Sequence, residues 1–244
     1  MSHIEFFGPP GAGKSTLLSE LITFEGCYGG TKDDAVLRYI SQKHGKKYAY
    51  PFLLSPRKLR RFIYKELLEY RLGPSALEDF ICSYPSYIES VSNAMNSVSY
   101  EPEKVFSFCR RSAERYQLGM STTKQQETLC LDESFVQRAF AILWRDPDES
   151  FSLVEYLDSV PIPDLVVNVH APTEVCLERQ RERGRLTITK DWEPEDHIYV
   201  QKNLESICED ILDIVSNKTD IMTVNNTGTI SEKVDEIKNR CEQA

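Results

Sequence analysis

The chain has 244 residues, 41% of them apolar, enough for one large or two small cores at roughly 100–200 residues per domain. Its 29 basic and 38 acidic side chains give a net charge of −9 and a pI near 5.1, which argues against a protein that coats duplex nucleic acid. No apolar run reaches the roughly 18 residues of a membrane span and no secretory signal opens the chain, so a cytoplasmic chain that stays off the membrane is expected. The seven cysteines are scattered, odd in number and never spaced C-x-x-C, so they are expected to be reduced and structural.

The first element, His3-Ile4-Glu5-Phe6-Phe7, is an apolar run that stops at Gly8. After Gly13, Leu17, Leu18, Leu21 and Ile22 recur at helical spacing, giving strand, glycine loop and helix. Residues 33 to 126 are mostly helical in pattern, as in Pro56 to Arg71, where Leu59, Phe62, Ile63, Leu67 and Tyr70 share a face; the Tyr and Phe of this region read as core. The basic cluster Arg57, Lys58, Arg60, Arg61 and Lys65 is diluted by Glu66 and Glu69 and reads as a solvated face. A second strand, Thr128 to Asp132, precedes a helix carrying Phe135, Val136, Ala139, Phe140 and Leu143. A third, Asp164 to His170, is followed by a helix opened by Pro172 and Thr173. A fourth, Asp220 to Val224, ends at Asn225-Asn226-Thr227-Gly228 before a helix with Ile230, Val234 and Ile237. Strands alternating with helices imply a parallel sheet covered on both faces.

Gly8-Pro9-Pro10-Gly11-Ala12-Gly13-Lys14-Ser15-Thr16 satisfies G-x-x-x-x-G-K-[ST] between that first strand and its helix. Glycines let successive N–H groups turn toward phosphates, and the helix start adds partial positive charge. Lys14 is placed to reach the β- and γ-phosphates, and the Ser15 hydroxyl to hold Mg2+. Asp132 and Glu133 fall at the C-terminal end of the second strand, the edge of an open α/β sheet where ligands collect. Asp132 suits the metal, and Glu133 suits orienting or deprotonating an acceptor. Arg179, Arg181, Arg183 and Arg185 surround Gly184; positions 179 and 183 share a helical face and can meet the anion of phosphoryl transfer. Asn217-Lys218-Thr219-Asp220 matches the guanine motif N-K-x-D, but Leu204, Ile207, Ile211 and Ile214 put a helix before it where that motif needs a strand, so a helix-to-strand turn is expected.

In this order the chain resembles a P-loop kinase of the nucleoside and nucleotide kinase group, most closely the thymidylate kinase and deoxynucleoside kinase branch. The resemblance is carried by Gly8 to Thr16, by Leu131 to Val136 with Ala139-Phe140, by Leu165 to Arg185 and by Val224 to Ile237. It implies the α/β P-loop NTPase three-layer fold across 1–244, with a mostly helical insertion at about 33–126 and an arginine lid at about 179–192. It implies ATP and Mg2+ as cofactors and a small-molecule phosphoryl acceptor, with nucleosides and nucleotides among the candidates, and leaves room for a homodimer. Some of Arg179 to Arg185 are implied to close on the γ-phosphate, and the loop holding Asn226 to border the adenine. In that family an Asp or Glu followed by Arg occupies the place of Asp132-Glu133; Glu133 inverts the charge and speaks against an ordinary nucleoside monophosphate. The competing readings are a nucleotide switch that binds a protein partner and a kinase acting on polynucleotide ends.

Overall fold

The computed structural model describes residues 2–29, 37–39, 41–42, 56, 72–184 and 193–241. Its strands are β1 (His3–Phe7), β2 (Cys27–Tyr28), β3 (Thr128–Asp132), β4 (Leu165–His170) and β5 (Asp220–Asn225). They form one sheet in the order β2-β3-β1-β4-β5, and each of the four pairings is parallel. The chain passes from β1 to one side of the sheet and from β3 to the other. The strand order therefore reverses around β1, and a crevice opens at its C-terminal end, where such sheets take ligands. Four of these strands coincide with the apolar runs of the sequence. The fifth, β2, is two residues long between Gly26 and Gly29, too short to leave a periodic signal.

Among the described residues the helices are α1 (Lys14–Leu21), α2 (Gly73–Ser83), α3 (Tyr87–Ser97), α4 (Pro102–Thr122), α5 (Phe135–Leu143), α6 (Leu153–Asp158), α7 (Thr173–Glu182), α8 (Pro194–Val215) and α9 (Ile230–Cys241). Alternation along the strands sorts the side chains into two cores. Ile4, Phe6, Cys130, Leu165 and Val167 pack with Leu17 and Leu21 of α1 and Val234 and Ile237 of α9. Leu129, Leu131 and Val166 face the larger core, which takes in Cys109 and Tyr116 of α4, Phe135 and Ala139 of α5, and Leu204 and Ile211 of α8. The result is a helix, sheet and helix sandwich, the P-loop NTPase architecture expected from the sequence.

Phe80, Tyr87 and Tyr116 of α2 to α4 belong to that larger core, as their type suggested, whereas Phe106 of α4 is exposed. Phe80 stacks on Phe135 with centroids 5.4 Å apart and meets Tyr87 edge-on at 5.0 Å. Helix α4 lies close along β3 because Gly119 carries no side chain: a Cβ there would come within 2.8 Å of Leu129. The pattern at Pro56 to Arg71, the basic cluster of residues 57 to 65 and Arg185 lie outside the described residues, apart from Pro56 itself. No disulfide forms; Cys109, Cys130, Cys176 and Cys208 are buried as free thiols. No described helix is long and apolar enough to cross a membrane.

Candidate functional site

The loop between β1 and α1 is shaped by left-handed backbone. Gly11 has φ +85°, and a Cβ on it would lie 2.3 Å from the Cys176 carbonyl oxygen. Gly13, at the N-cap of α1, has φ +99°, and a Cβ there would meet the Asn226 amide nitrogen at 2.1 Å. Only glycine satisfies both demands. The α1 start is bonded through Thr16 and Leu17, whose N–H groups donate to the Gly13 carbonyl. Among the described residues, the N–H groups of Gly11, Gly13, Lys14 and Ser15 have no backbone acceptor outside regular structure. Those four donors and the positive end of α1 form an anion cradle.

Lys14 spans this cradle. Its Nζ donates to the carbonyls of Gly8 at 2.6 Å and Pro9 at 3.1 Å. Its enclosed position lowers the ammonium's pKa, against neighbours that include the Glu133 and Asp132 carboxylates. A phosphate oxygen would replace those two carbonyls as a stronger, charged acceptor.

The Gly11 and Ala12 carbonyls are held from outside the cradle. Asn226, buried in the turn after β5, donates its side-chain amide to the Ala12 carbonyl at 2.7 Å. Arg179 Nη1 donates to the carbonyls of Ala12 at 3.1 Å and Gly11 at 3.4 Å, and its Nη2 to the Asn226 carbonyl at 3.1 Å. Arg179 and Asn226 thus lie against the outer side of the loop and join it to the turn after β5. Arg183 is the C-cap of α7, its backbone N–H donating to the Arg179 carbonyl at 3.3 Å, and its exposed side chain makes no hydrogen bond or ion pair among the described residues. The shared helical face of 179 and 183 therefore does not bring both arginines to the loop.

On the other side of β1, Phe6 is in register with Asp132 at the end of β3. The Asp132 carboxylate accepts from Arg115 Nη1 of α4 at 2.8 Å and lies beside the Ser15 hydroxyl. Burial raises its pKa, but the Arg115 guanidinium and the Ser15 hydroxyl outweigh burial and hold it below the ordinary carboxylate value. Arg115 also donates to the Asp132 carbonyl at 3.1 Å and to the Gly29 carbonyl at 3.4 Å, bridging the ends of β3 and β2. Ser15 and Asp132 supply hard oxygen donors side by side at the cradle mouth, a set that suits a Mg2+ ion shared with phosphates.

Glu133 follows with φ +52°, an uncommon conformation for a residue with a side chain. This turn sends its carboxylate outward, 60% exposed, where Arg138 Nη2 of α5 donates to it at 3.4 Å. Arg138 also donates through Nε to Ser112 at 3.0 Å, and its guanidinium lies over the Phe108 ring at 5.0 Å. The N-terminus of α5 is capped by a residue sequence reasoning passed over. The N-cap Ser134 makes no side-chain cap, and the buried Glu5 carboxylate of β1 accepts from the Gln137 N–H at 2.9 Å. The Gln137 side chain in turn accepts from the Gly8 N–H at 3.3 Å. Burial raises Glu5 to about 7. The available signal was a carboxylate in the middle of a strand buried on both faces. Arg115 left no such signal, because it is one arginine among several on a mixed-charge helix.

Asn217-Lys218-Thr219-Asp220 is a turn between α8 and β5, as expected. Asn217 donates to the Asp213 carbonyl at 3.0 Å, Lys218 pairs with Asp158, and Thr219 donates to the Pro163 carbonyl at 2.5 Å. These residues sit at the start of β5, the end of the sheet away from the cradle.

No protein-family model and no curated protein sequence matches the chain. Among solved structures it is similar to deoxyadenosine kinase from M. mycoides with bound dATP, at 12% identity and a TM-score of 0.53, over 99% of this chain and 100% of that one. It is similar to the same kinase with bound dCTP, at 13% identity and a TM-score of 0.51, over the same shares. From the first strand to the last helix, the chain has the fold of these deoxyadenosine kinase structures.

Proposed function

We propose that the chain is an ATP- and Mg2+-dependent kinase that phosphorylates a hydroxyl of a small molecule, with a nucleoside as the leading acceptor. The observation that carries this reading is the meeting of the P-loop and Asp132 at one sheet edge, in a fold shared along its whole length with deoxyadenosine kinase structures. The nucleoside is favoured because the acceptor side presents the exposed Glu133 carboxylate, which repels an acceptor phosphate and suits a neutral hydroxyl.

Lys14 exchanges its bonds to Gly8 and Pro9 for phosphate oxygens, and the inward N–H groups of the loop hold the remaining oxygens. Ser15 and Asp132 would hold Mg2+, which when bound neutralises charge on the β- and γ-phosphates. Arg115 fixes the Asp132 carboxylate through one oxygen. Glu133 accepts the proton of the acceptor hydroxyl, steered by Arg138. Arg179 supports the loop from behind, and the exposed Arg183 would close on the γ-phosphate. Asn226 fixes the loop on the side where the base of ATP would lie. The switch reading has no support at the site, since the residues of its guanine motif are bonded at the opposite end of β5.

The test is ADP release from ATP and Mg2+ with adenosine or a deoxynucleoside present and absent. Acceptor-dependent turnover supports the reading. Tight ATP binding with the same slow hydrolysis whatever acceptor is added would remove it in favour of a nucleotide switch.

A further inference from the structure

Next to the Gly11 and Ala12 carbonyls, the P-loop carbonyl of Pro10 is held by two buried glutamines from separate helices. Gln180 of α7 donates through Nε2 to the Pro10 carbonyl at 3.0 Å and to the Gln201 side-chain oxygen at 3.0 Å. Gln201 of α8 donates through Nε2 to the same Pro10 carbonyl at 3.4 Å and to Glu205 at 3.4 Å. The Glu205 carboxylate is anchored in turn by the Thr173 hydroxyl, 3.0 Å from each oxygen, at the first residue of α7. Gln180 is 4% exposed and Gln201 is 1% exposed.

Both amides have a defined orientation. An acceptor, Glu205, fixes the NH2 end of Gln201, so its oxygen turns to Gln180, and Gln180 must then present its NH2 group to Gln201 and Pro10. Burying two amides is costly unless they are paired, and here the pairing ends on one loop carbonyl. The peptide between Pro10 and Gly11 is trans and planar, so its N–H points opposite to its C=O. Holding the Pro10 carbonyl outward therefore aims the Gly11 N–H into the cradle.

We infer that Gln180 and Gln201, oriented by Glu205, are positioning residues for phosphate binding, preorganising the Gly11 N–H and tying α7 and α8 to the P-loop. This rests on the nucleotide-site half of the proposed function and is independent of the acceptor.

The test is titration calorimetry of ADP with Mg2+ on the full chain and on Gln180→Met, Gln201→Met, the double variant and Glu205→Gln, each paired with a urea unfolding midpoint. Methionine keeps the volume and removes the donors; Glu205→Gln keeps the shape and removes the orienting charge, so it covers the case in which a methionine variant does not fold. Each methionine variant is expected to weaken ADP about 3- to 10-fold, the scale of one lost hydrogen bond. The double variant should weaken ADP by less than the product of the two, because both act on one carbonyl. Glu205→Gln should weaken ADP by about 2- to 5-fold with little change in the midpoint. ADP affinities within about twofold of the wild-type chain in all folded variants, with lowered midpoints, would show an ordinary buried polar pair and overturn the inference. A wild-type chain that fails to bind ADP overturns the nucleotide reading together with this inference, a result distinct from wild-type binding with insensitive variants.

Discussion

The two sides of the β1 terminus are built in opposite ways. Toward β4 and β5 the site is backbone: loop amides face inward, and Asn226, Arg179, Gln180 and Gln201 hold the carbonyls outward. Toward β3 and β2 it is charged side chains in opposed pairs, Asp132 with Arg115 and Glu133 with Arg138. A backbone cradle binds what every nucleoside triphosphate shares and needs little from the side chains at its surface. Paired charges are sensitive to what is brought between them, so under the proposed function this side, where the acceptor would lie, is where discrimination would reside. Lys14 belongs to both sides, since its ammonium feels both carboxylates while bonding to the loop.

The comparison breaks most visibly at that shared residue. Lys14→Ala should lower turnover at saturating ATP and acceptor by about 1,000-fold or more, because charge stabilisation of the transferring group is lost. Near-normal turnover in steady-state kinetics would remove the site from this loop.

Arg115→Ala sharpens the contrast. Turnover is expected to fall about 100-fold while the calorimetric affinity for ADP without metal stays within about twofold, and Arg115→Lys should recover part of the loss. If ADP affinity falls as far as turnover does, the two sides are not separable in the way described.

Glu5 joins the two sides from beneath, through its cap on α5 and Gln137 on Gly8. Its folded pKa of about 7 lies above the ordinary 4.5, so the folded state keeps the proton that the unfolded chain releases. Stability from this group is complete below pH 4.5 and is lost as pH rises toward and through 7. Relative to Glu5→Gln, which stays neutral, the wild-type chain should lose about 2–3 kcal/mol between pH 5 and pH 8. Urea unfolding of both proteins at the two pH values measures this directly; a constant difference would contradict it. The smallest effect expected is from Gly119→Ala, which forces Leu129 to move where α4 touches β3. A loss of about 1 kcal/mol in the same urea assay is predicted, with turnover lowered because Arg115 moves with the helix.

The same contrast governs what could be read in the sequence. The cradle was legible because it is contiguous: Gly8 to Thr16 carries its own glycines and lysine, between an apolar strand and a helix start. Strands β1, β3, β4 and β5 were legible as apolar runs, and Asp132 as the residue at a strand end. The turn at Asn217 to Asp220 was legible because the helical period of α8 runs up to it. What supports these residues was not. Gln201 acts on a carbonyl 191 positions away, Arg115 on a carboxylate 17 positions away across a helix-to-strand crossover, and Asn226 on a carbonyl 214 positions away. Such contacts depend on how layers pack, and neither residue type nor period records that. Arg179 shows the limit: its sequence position suggested a phosphate contact, but nothing in the sequence foretold that the packing of α7 against the loop sets its guanidinium on the Ala12 and Asn226 carbonyls.

The most direct measurement is ADP release with ATP and Mg2+ across nucleosides, nucleoside monophosphates, sugars and small phosphorylated metabolites, with Lys14→Ala as the blank. The account predicts that a nucleoside raises the rate at least about tenfold above the acceptor-free rate, that nucleoside monophosphates do not, and that the blank stays flat. ADP that binds tightly while no acceptor class raises its release would contradict the account, leaving a nucleotide-binding chain whose charged side faces something other than a phosphoryl acceptor.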